Sequence, residues 1–127
     1  MKAGDVEIAE RTFSVEDVRA FTEVSGDRGR HHVEPDAQGR LLVHGLLTAT
    51  LFTEIGGRLN YLAREMKFEF IRPVFTGDAL RVEMTIEEVE EQEGRIALSA
   101  RAVCRNQHGK EVMKATTNGV ILTKRAS

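Results

Sequence analysis

The sequence predicts an α+β domain in which an antiparallel sheet wraps around a long central helix. Three observations predict it. Period-two alternation fills the second half of the chain, residues 44–57 put apolar groups on nearly every side of a helix, and an amphipathic helix precedes them at 14–25. A helix apolar all round expects to be surrounded, and a sheet curling around it lets all three parts share one core. With 127 residues, the chain is predicted to be a single domain over 1–127.

Val6, Ile8 and Phe13 mark a short first strand. Ser14 reads as a helix N-cap, with Glu16 and Asp17 in the first turn where the helix dipole favours negative charge. Val15, Val18, Phe21 and Thr22 follow at helical spacing, and Ser25-Gly26-Asp27 stops the helix. Residues 26–41 are rich in charge and glycine and read as a loop carrying His31 and His32. Leu46, Leu47, Ala49, Leu51, Phe52 and Ile55 form the central helix, which Gly56-Gly57 loosens or ends, the alternative being an irregular continuation through Leu62. Met66, Phe68 and Phe70 alternate with polar neighbours, as do Leu80, Val82, Met84 and Ile86. Glu90 to Gly94 is a hairpin-like loop; Ile96 to Cys104 and residues 111–123 complete the strands. Short turns between successive strands make the sheet antiparallel.

Apolar residues are 41% and charged residues 30% of the chain, an ordinary globular balance. A net charge of −2 argues against a nucleic-acid partner, which needs a basic face. No run approaches the roughly 20 apolar residues that span a bilayer, so no membrane partner is expected. Met1-Lys2-Ala3-Gly4-Asp5 lacks the apolar run of a secretory signal, and Cys104, the single cysteine, can form no intrachain disulfide; a cytoplasmic location is expected. His31-His32 and His44 lack the helix spacing or cysteine pairs of a zinc site, and no glycine-rich loop fits a nucleotide, so neither metal nor cofactor is expected.

Three segments then carry a resemblance. Residues 21–32 read FTEVSGDRGRHH, residues 42–47 read LVHGLL, and residues 70–80 read FIRPVFTGDAL. Together, in this order and spacing, they resemble the MaoC-like, (R)-specific enoyl-CoA hydratase branch of the hot-dog superfamily. In that family a helix ends in an aspartate and a histidine follows five residues later, as Asp27 and His32 do here. The family usually carries asparagine and proline between them; this chain has Gly29 and Arg30, and its segment between His32 and His44 is short. The resemblance implies a hot-dog fold, an acyl-CoA or acyl-carrier-protein thioester as substrate, and a homodimer, which exposed strand edges also favour. It implies that the acyl chain runs along the central helix and that the pantetheine arm enters between subunits.

Hydration of a 2-enoyl thioester needs a base to activate water, an acid for the α-carbon and donors for an enolate-like oxygen. The resemblance assigns base and acid to Asp27 and the orientation of the water to His32; the structural alternative is a turn-capping Asp27 and a solvated His32. His31 is expected to be exposed, with a one-residue shift exchanging its role with that of His32. Gly45, at a helix start where N–H groups are unpaired, suits an oxyanion site, with His44 holding the turn. Thr53 stands where the family places a small hydroxyl near the site, the alternative being a bond to its own helix backbone. Glu54, costly to bury unless paired or functional, or else Asp27, is the carboxylate of a hot-dog thioesterase reading, the alternative for Glu54 being a surface or dimer-edge position. Arg58, Lys67 and Arg72 are candidates for ligand phosphates, and Cys104 reads as core. The leading expectation is therefore a hydratase or dehydratase, with a thioesterase and a non-catalytic acyl-CoA-binding module as alternatives.

Overall fold

The computed structural model describes residues 1–123; positions 124–127 of the predicted domain lie outside the described residues. Strand β1 (Val6–Thr12) leads into helix α1 (Val15–Ser25). Ser14 caps α1 reciprocally: its hydroxyl accepts the Asp17 N–H at 3.1 Å, and the Asp17 carboxylate accepts the Ser14 N–H at 2.9 Å. Gly26, left-handed at φ 74°, closes the helix by donating to the Thr22 carbonyl.

The segment predicted to be all loop contains one helical turn, α2 (Arg30–Val33), which buries His32 and leaves Arg30, His31 and Val33 exposed. A strap then ties α2 to the central helix. The Leu42 N–H donates to the His31 carbonyl, and the Val43 N–H to the Val74 carbonyl; Leu41 and Thr76 exchange two further bonds. This strap sets where the central helix, α3 (Gly45–Arg58), begins.

The alternative continuation of α3 through Leu62 is not observed. Asn60 adopts φ 56°, a left-handed conformation that asparagine tolerates, and the chain turns directly into β2 (Tyr61–Phe70). Strands β3 (Ala79–Gln92), β4 (Arg95–Arg105) and β5 (Glu111–Leu122) follow. The loop expected over Glu90–Gly94 is also shorter than predicted, because strand pairing continues to Gln92–Arg95 and only a tight turn through Gly94 remains. All strands pair antiparallel in one five-stranded sheet, ordered β1-β3-β4-β5-β2.

Leu80, Val82, Met84 and Ile86 of β3, Leu98 to Cys104 of β4, and Met113 and Ala115 of β5 pack with Leu47, Leu51, Phe52 and Ile55 of α3. Within one chain α3 is cradled rather than surrounded: Leu46, Thr53, Glu54, Gly57 and Arg58 are exposed along its other side. The sequence expectation of an enclosed helix is therefore met on one face only, because the sheet covers only that face. Among the described residues no helix is long and apolar enough to cross a membrane.

At the edge, β2 carries a bulge between Ala63 and Glu65 in its pairing with β5. A Cβ at Gly119 would collide with the Leu62 carbonyl and the Tyr61 ring. Replacing Gly119 with alanine is expected to cost about 1–3 kcal/mol of stability, read as a lower urea midpoint with an unchanged slope.

Candidate active site

The site grows from the segment that follows α1. The Asp27 N–H donates to Ser25 Oγ at 3.0 Å, and Asp27 Oδ1 accepts the Gly29 N–H at 3.1 Å, an Asx-type turn. The helical turn of α2 then sends His31 outward and His32 inward, where His32 is buried. His32 Nδ1 lies 2.6 Å from the Leu42 carbonyl oxygen. A carbonyl only accepts, so Nδ1 carries a hydrogen, and in the neutral ring Nε2 presents a lone pair. That lone pair lies 3.8 Å from Asp27 Oδ2. Two acceptors facing one another at this separation are matched by a single donor with two hydrogens, which is water.

His44 supports this pair from beneath. Its ring stacks on His32 with centroids 3.8 Å apart and planes at 15°, and Phe21 packs against its other side at 4.9 Å. His44 Nε2 donates to the Asp27 carbonyl at 3.1 Å, with Thr22 Oγ1 at 3.3 Å, while Nδ1 is buried without a partner. His44 thus holds the Asp27 backbone. Burial pushes its pKa below the ordinary value of 6.5, outweighing the opposing effect of its bond to Asp27.

This shift has a consequence for stability. A histidine with a lowered folded pKa is protonated first in the unfolded chain, so its contribution is intact above pH 6.5 and is lost as pH falls from there towards the folded value. The lowered carboxylates of Asp5, Asp17 and Asp36 act only in the more acidic carboxylate range. Between mildly alkaline and mildly acidic pH, the urea midpoint is therefore expected to fall more in the native protein than in His44→Gln.

His44 is also the N-cap of α3, and no side chain caps that helix. Its first N–H groups, from Gly45, Leu46 and Leu47, precede the first intrahelical bond, Thr48 N–H to the His44 carbonyl. They carry the positive end of the helix dipole. A Cβ on Gly45 would lie 3.0 Å from the Phe70 ring, so glycine lets the helix start against that ring. Asp27, His32, His44 and Gly45 all line one cleft of about 650 Å³, with Phe21, Thr48, Phe70 and Arg72 among its other walls.

Thr53 and Glu54 are not brought to this cleft by the chain's own fold. The Thr53 hydroxyl donates to the Thr50 carbonyl at 2.9 Å, the local alternative, and its side lines a separate apolar cavity of about 290 Å³ with Phe52, Tyr61 and Met84. Glu54 is exposed and ion-paired with Arg58 at 3.5 Å. Both lie on the open face of α3, more than a turn beyond its start. Of the cations considered for phosphates, only Arg72 lines the cleft, where it also donates to the Glu111 carbonyl at 2.7 Å; Arg58 donates to the Ile8 carbonyl. Burial pushes the Cys104 thiol up to about 12, consistent with a core residue.

Three potential metal ligands do converge, Asp27, His32 and His44, with atoms within 4.8 Å of one another, a juxtaposition that sequence spacing did not disclose. The near-parallel stacking of the two rings opposes a shared ion, because in-plane lone pairs of stacked imidazoles cannot meet at one point. Thr48 is buried and lines the cleft, and its place one helical turn after His44 is the only sequence signal for it.

A family model described as a MaoC like domain matches residues 3–107. The chain belongs to the MaoC-like domain family. This MaoC-like chain is 33% identical over 89 residues to the mitochondrial 3-hydroxyacyl-[acyl-carrier-protein] dehydratase of Arabidopsis thaliana, a match that covers 63% of the chain but only 52% of that relative. It is 30% identical over 124 residues to a 3-hydroxybutyryl-CoA dehydratase of Methylorubrum extorquens, covering 89% of the chain and 75% of the relative. The solved (R)-hydratase from A. caviae has the same fold, with a TM-score of 0.83 at 24% identity, covering 96% of this MaoC-like chain and 97% of that one. The α+β hot-dog fold expected from the sequence is the fold observed.

Proposed function

We propose that this chain is a hydro-lyase that reversibly adds water to a trans-2-enoyl thioester, giving an (R)-3-hydroxyacyl thioester. The observation that carries the reading is the convergence of Asp27 Oδ2 and His32 Nε2 at 3.8 Å in the cleft that begins at the N-terminus of α3. The names of the relatives support the reaction class, and the A. caviae protein's name supports the (R) sense.

In the hydration direction Asp27 accepts one hydrogen of the water as its oxygen bonds to C3 of the enoyl group. His32 Nε2 accepts the other hydrogen bond and fixes the water's orientation. The electron pair moves through C2 to the thioester oxygen, which the α3 N-terminal amides stabilise. Asp27 then returns its proton to C2, so that one water is added and no proton is left over. An acyl-CoA or acyl-carrier-protein thioester is the substrate class, with Arg72 the cleft cation best placed for a phosphate.

The active assembly is a homodimer in the cytoplasm. Leu46, Leu62, Phe70 and Ile71 leave apolar surface exposed along α3 and the β2 edge, and an uncovered edge strand of this kind favours pairing with a second copy. The thioesterase reading keeps only Asp27 as a carboxylate at the cleft, because Glu54 lies on the open face of α3, paired with Arg58. Crotonyl-CoA tests the proposal: enoyl absorbance should fall without release of free thiol. Thiol release would transfer the assignment to hydrolysis, and CoA binding with neither signal would make the chain a binding module.

A further inference from the structure

We propose that the Thr48 hydroxyl is a second donor to the thioester oxygen, working beside the Gly45 amide at the start of α3. The proposal deepens the reading of the cleft as an enoyl-thioester site and rests on it. Thr48 is only 2% exposed, and it lines the cleft together with Asp27, His32 and Gly45. Helical threonines ordinarily turn the hydroxyl back onto their own backbone. The two others in α3 do so: Thr50 donates to the Leu47 carbonyl at 2.6 Å, and Thr53 to the Thr50 carbonyl at 2.9 Å. The same bond from Thr48 would go to the Gly45 or His44 carbonyl, and it is not made. The His44 carbonyl accepts the Thr48 N–H instead, at 3.0 Å.

Among the described residues the Thr48 hydroxyl has no hydrogen-bond partner, and the one unpaired side-chain atom sealed from solvent is His44 Nδ1. The Thr48 oxygen is therefore unpaired without being sealed, and the space it opens on is the cleft. A hydroxyl this deep is costly to leave alone, and valine would fill nearly the same volume without that cost. A partner that arrives with the ligand accounts for threonine. Asp27 is not that partner, because Oδ1 takes the Gly29 N–H and Oδ2 faces His32.

Residues three apart share a helix face, so Thr48 stands over Gly45. Its Cβ tilts toward the helix N-terminus, which carries the hydroxyl back over the first turn. There the Gly45 N–H has no intrahelical acceptor. An oxygen held by that amide on the cleft side meets the Thr48 hydroxyl as its next donor. As water bonds to C3, negative charge builds on the thioester oxygen, and both bonds strengthen. The hydroxyl keeps its proton throughout; only Asp27 takes one up and returns it.

The test pairs kinetics with the infrared carbonyl stretch of bound substrate, using the full chain. Thr48→Val is expected to lower kcat for crotonyl-CoA hydration by about 10²-fold, with KM changed by less than about threefold. Thr48→Ser, which keeps the hydroxyl, should stay within about threefold of the native kcat. Crotonyl-CoA labelled with a heavy isotope at the thioester carbonyl and bound to Asp27→Asn should show a lowered stretch. Adding Thr48→Val should reverse part of that lowering, and adding Thr48→Ser should not. A merely structural threonine would leave the stretch where it is. An unchanged kcat in Thr48→Val, a serine variant as slow as the valine one, or a stretch indifferent to position 48 would each overturn the proposal. A native protein that binds crotonyl-CoA without hydrating it would sink the proposed function instead, and the stretch in native protein against Thr48→Val would then decide the Thr48 inference alone. A protein that binds no crotonyl-CoA would remove both.

Discussion

Asp27→Asn is expected to lower crotonyl-CoA hydration by about 10³-fold without measurable loss of folded structure. The amide keeps the shape of the carboxylate, and its oxygen still accepts the Gly29 N–H that shapes the turn. The His44 bond goes to the Asp27 backbone carbonyl, which the substitution leaves in place. What disappears is the negative oxygen facing His32 Nε2. Because the side chain is about half exposed, the change in stability is expected to stay within about 0.5 kcal/mol. Initial rates by enoyl absorbance, together with thermal unfolding, separate the two effects. A variant that hydrated at the full rate would remove Asp27 from the chemistry.

At His32 the two ring nitrogens have separate tasks, and two substitutions divide them. His32→Asn keeps a donor near the Nδ1 position for the Leu42 carbonyl, 2.6 Å away in the native protein, and removes the Nε2 acceptor. His32→Gln extends an amide toward the Nε2 position and gives up the Leu42 anchor. Both lose the stacking on His44. The asparagine variant should fall about 10²-fold or more in kcat while retaining most of its stability. The glutamine variant should retain more activity but lose about 1–3 kcal/mol, the cost of leaving a part-buried carbonyl unpaired. Equal kcat values in the two variants would mean that the water is not oriented through Nε2.

Much of this arrangement was legible in the sequence because it depends on local order. Alternation at Leu80 to Ile86 and Ile96 to Cys104 disclosed the strands, and the Ser14, Asp17 and Gly26 signals bounded α1. The pairing of Asp27 with His32 comes from the resemblance, since spacing alone leaves a turn-capping Asp27 and a solvated His32 equally open. What local order does not carry is the rotation of a helix against its sheet. Thr53 and Glu54 fall on the open side of α3, and Thr48 on the cleft side, a distinction set by how Leu47, Leu51 and Ile55 seat in the core. The stacking of His44 on His32 likewise depends on the strap through Leu42 and Val43, whose partners lie on Val74 and Phe75, some thirty residues away in sequence. Of the two ends left open by Gly56-Gly57, the structure takes the early one at Arg58, because Asn60 turns the chain in a left-handed conformation that no apolar pattern announces.

The central claim concerns where the thioester lies relative to Asp27, His32 and the first turn of α3. A crystal structure of Asp27→Asn with crotonyl-CoA bound measures this directly. The thioester oxygen is expected within hydrogen-bond distance of the Gly45 or Leu46 amide, and C3 of the enoyl group facing the space between residue 27 and His32 Nε2. A thioester bound away from the start of α3, or an enoyl group turned from that space, would contradict it.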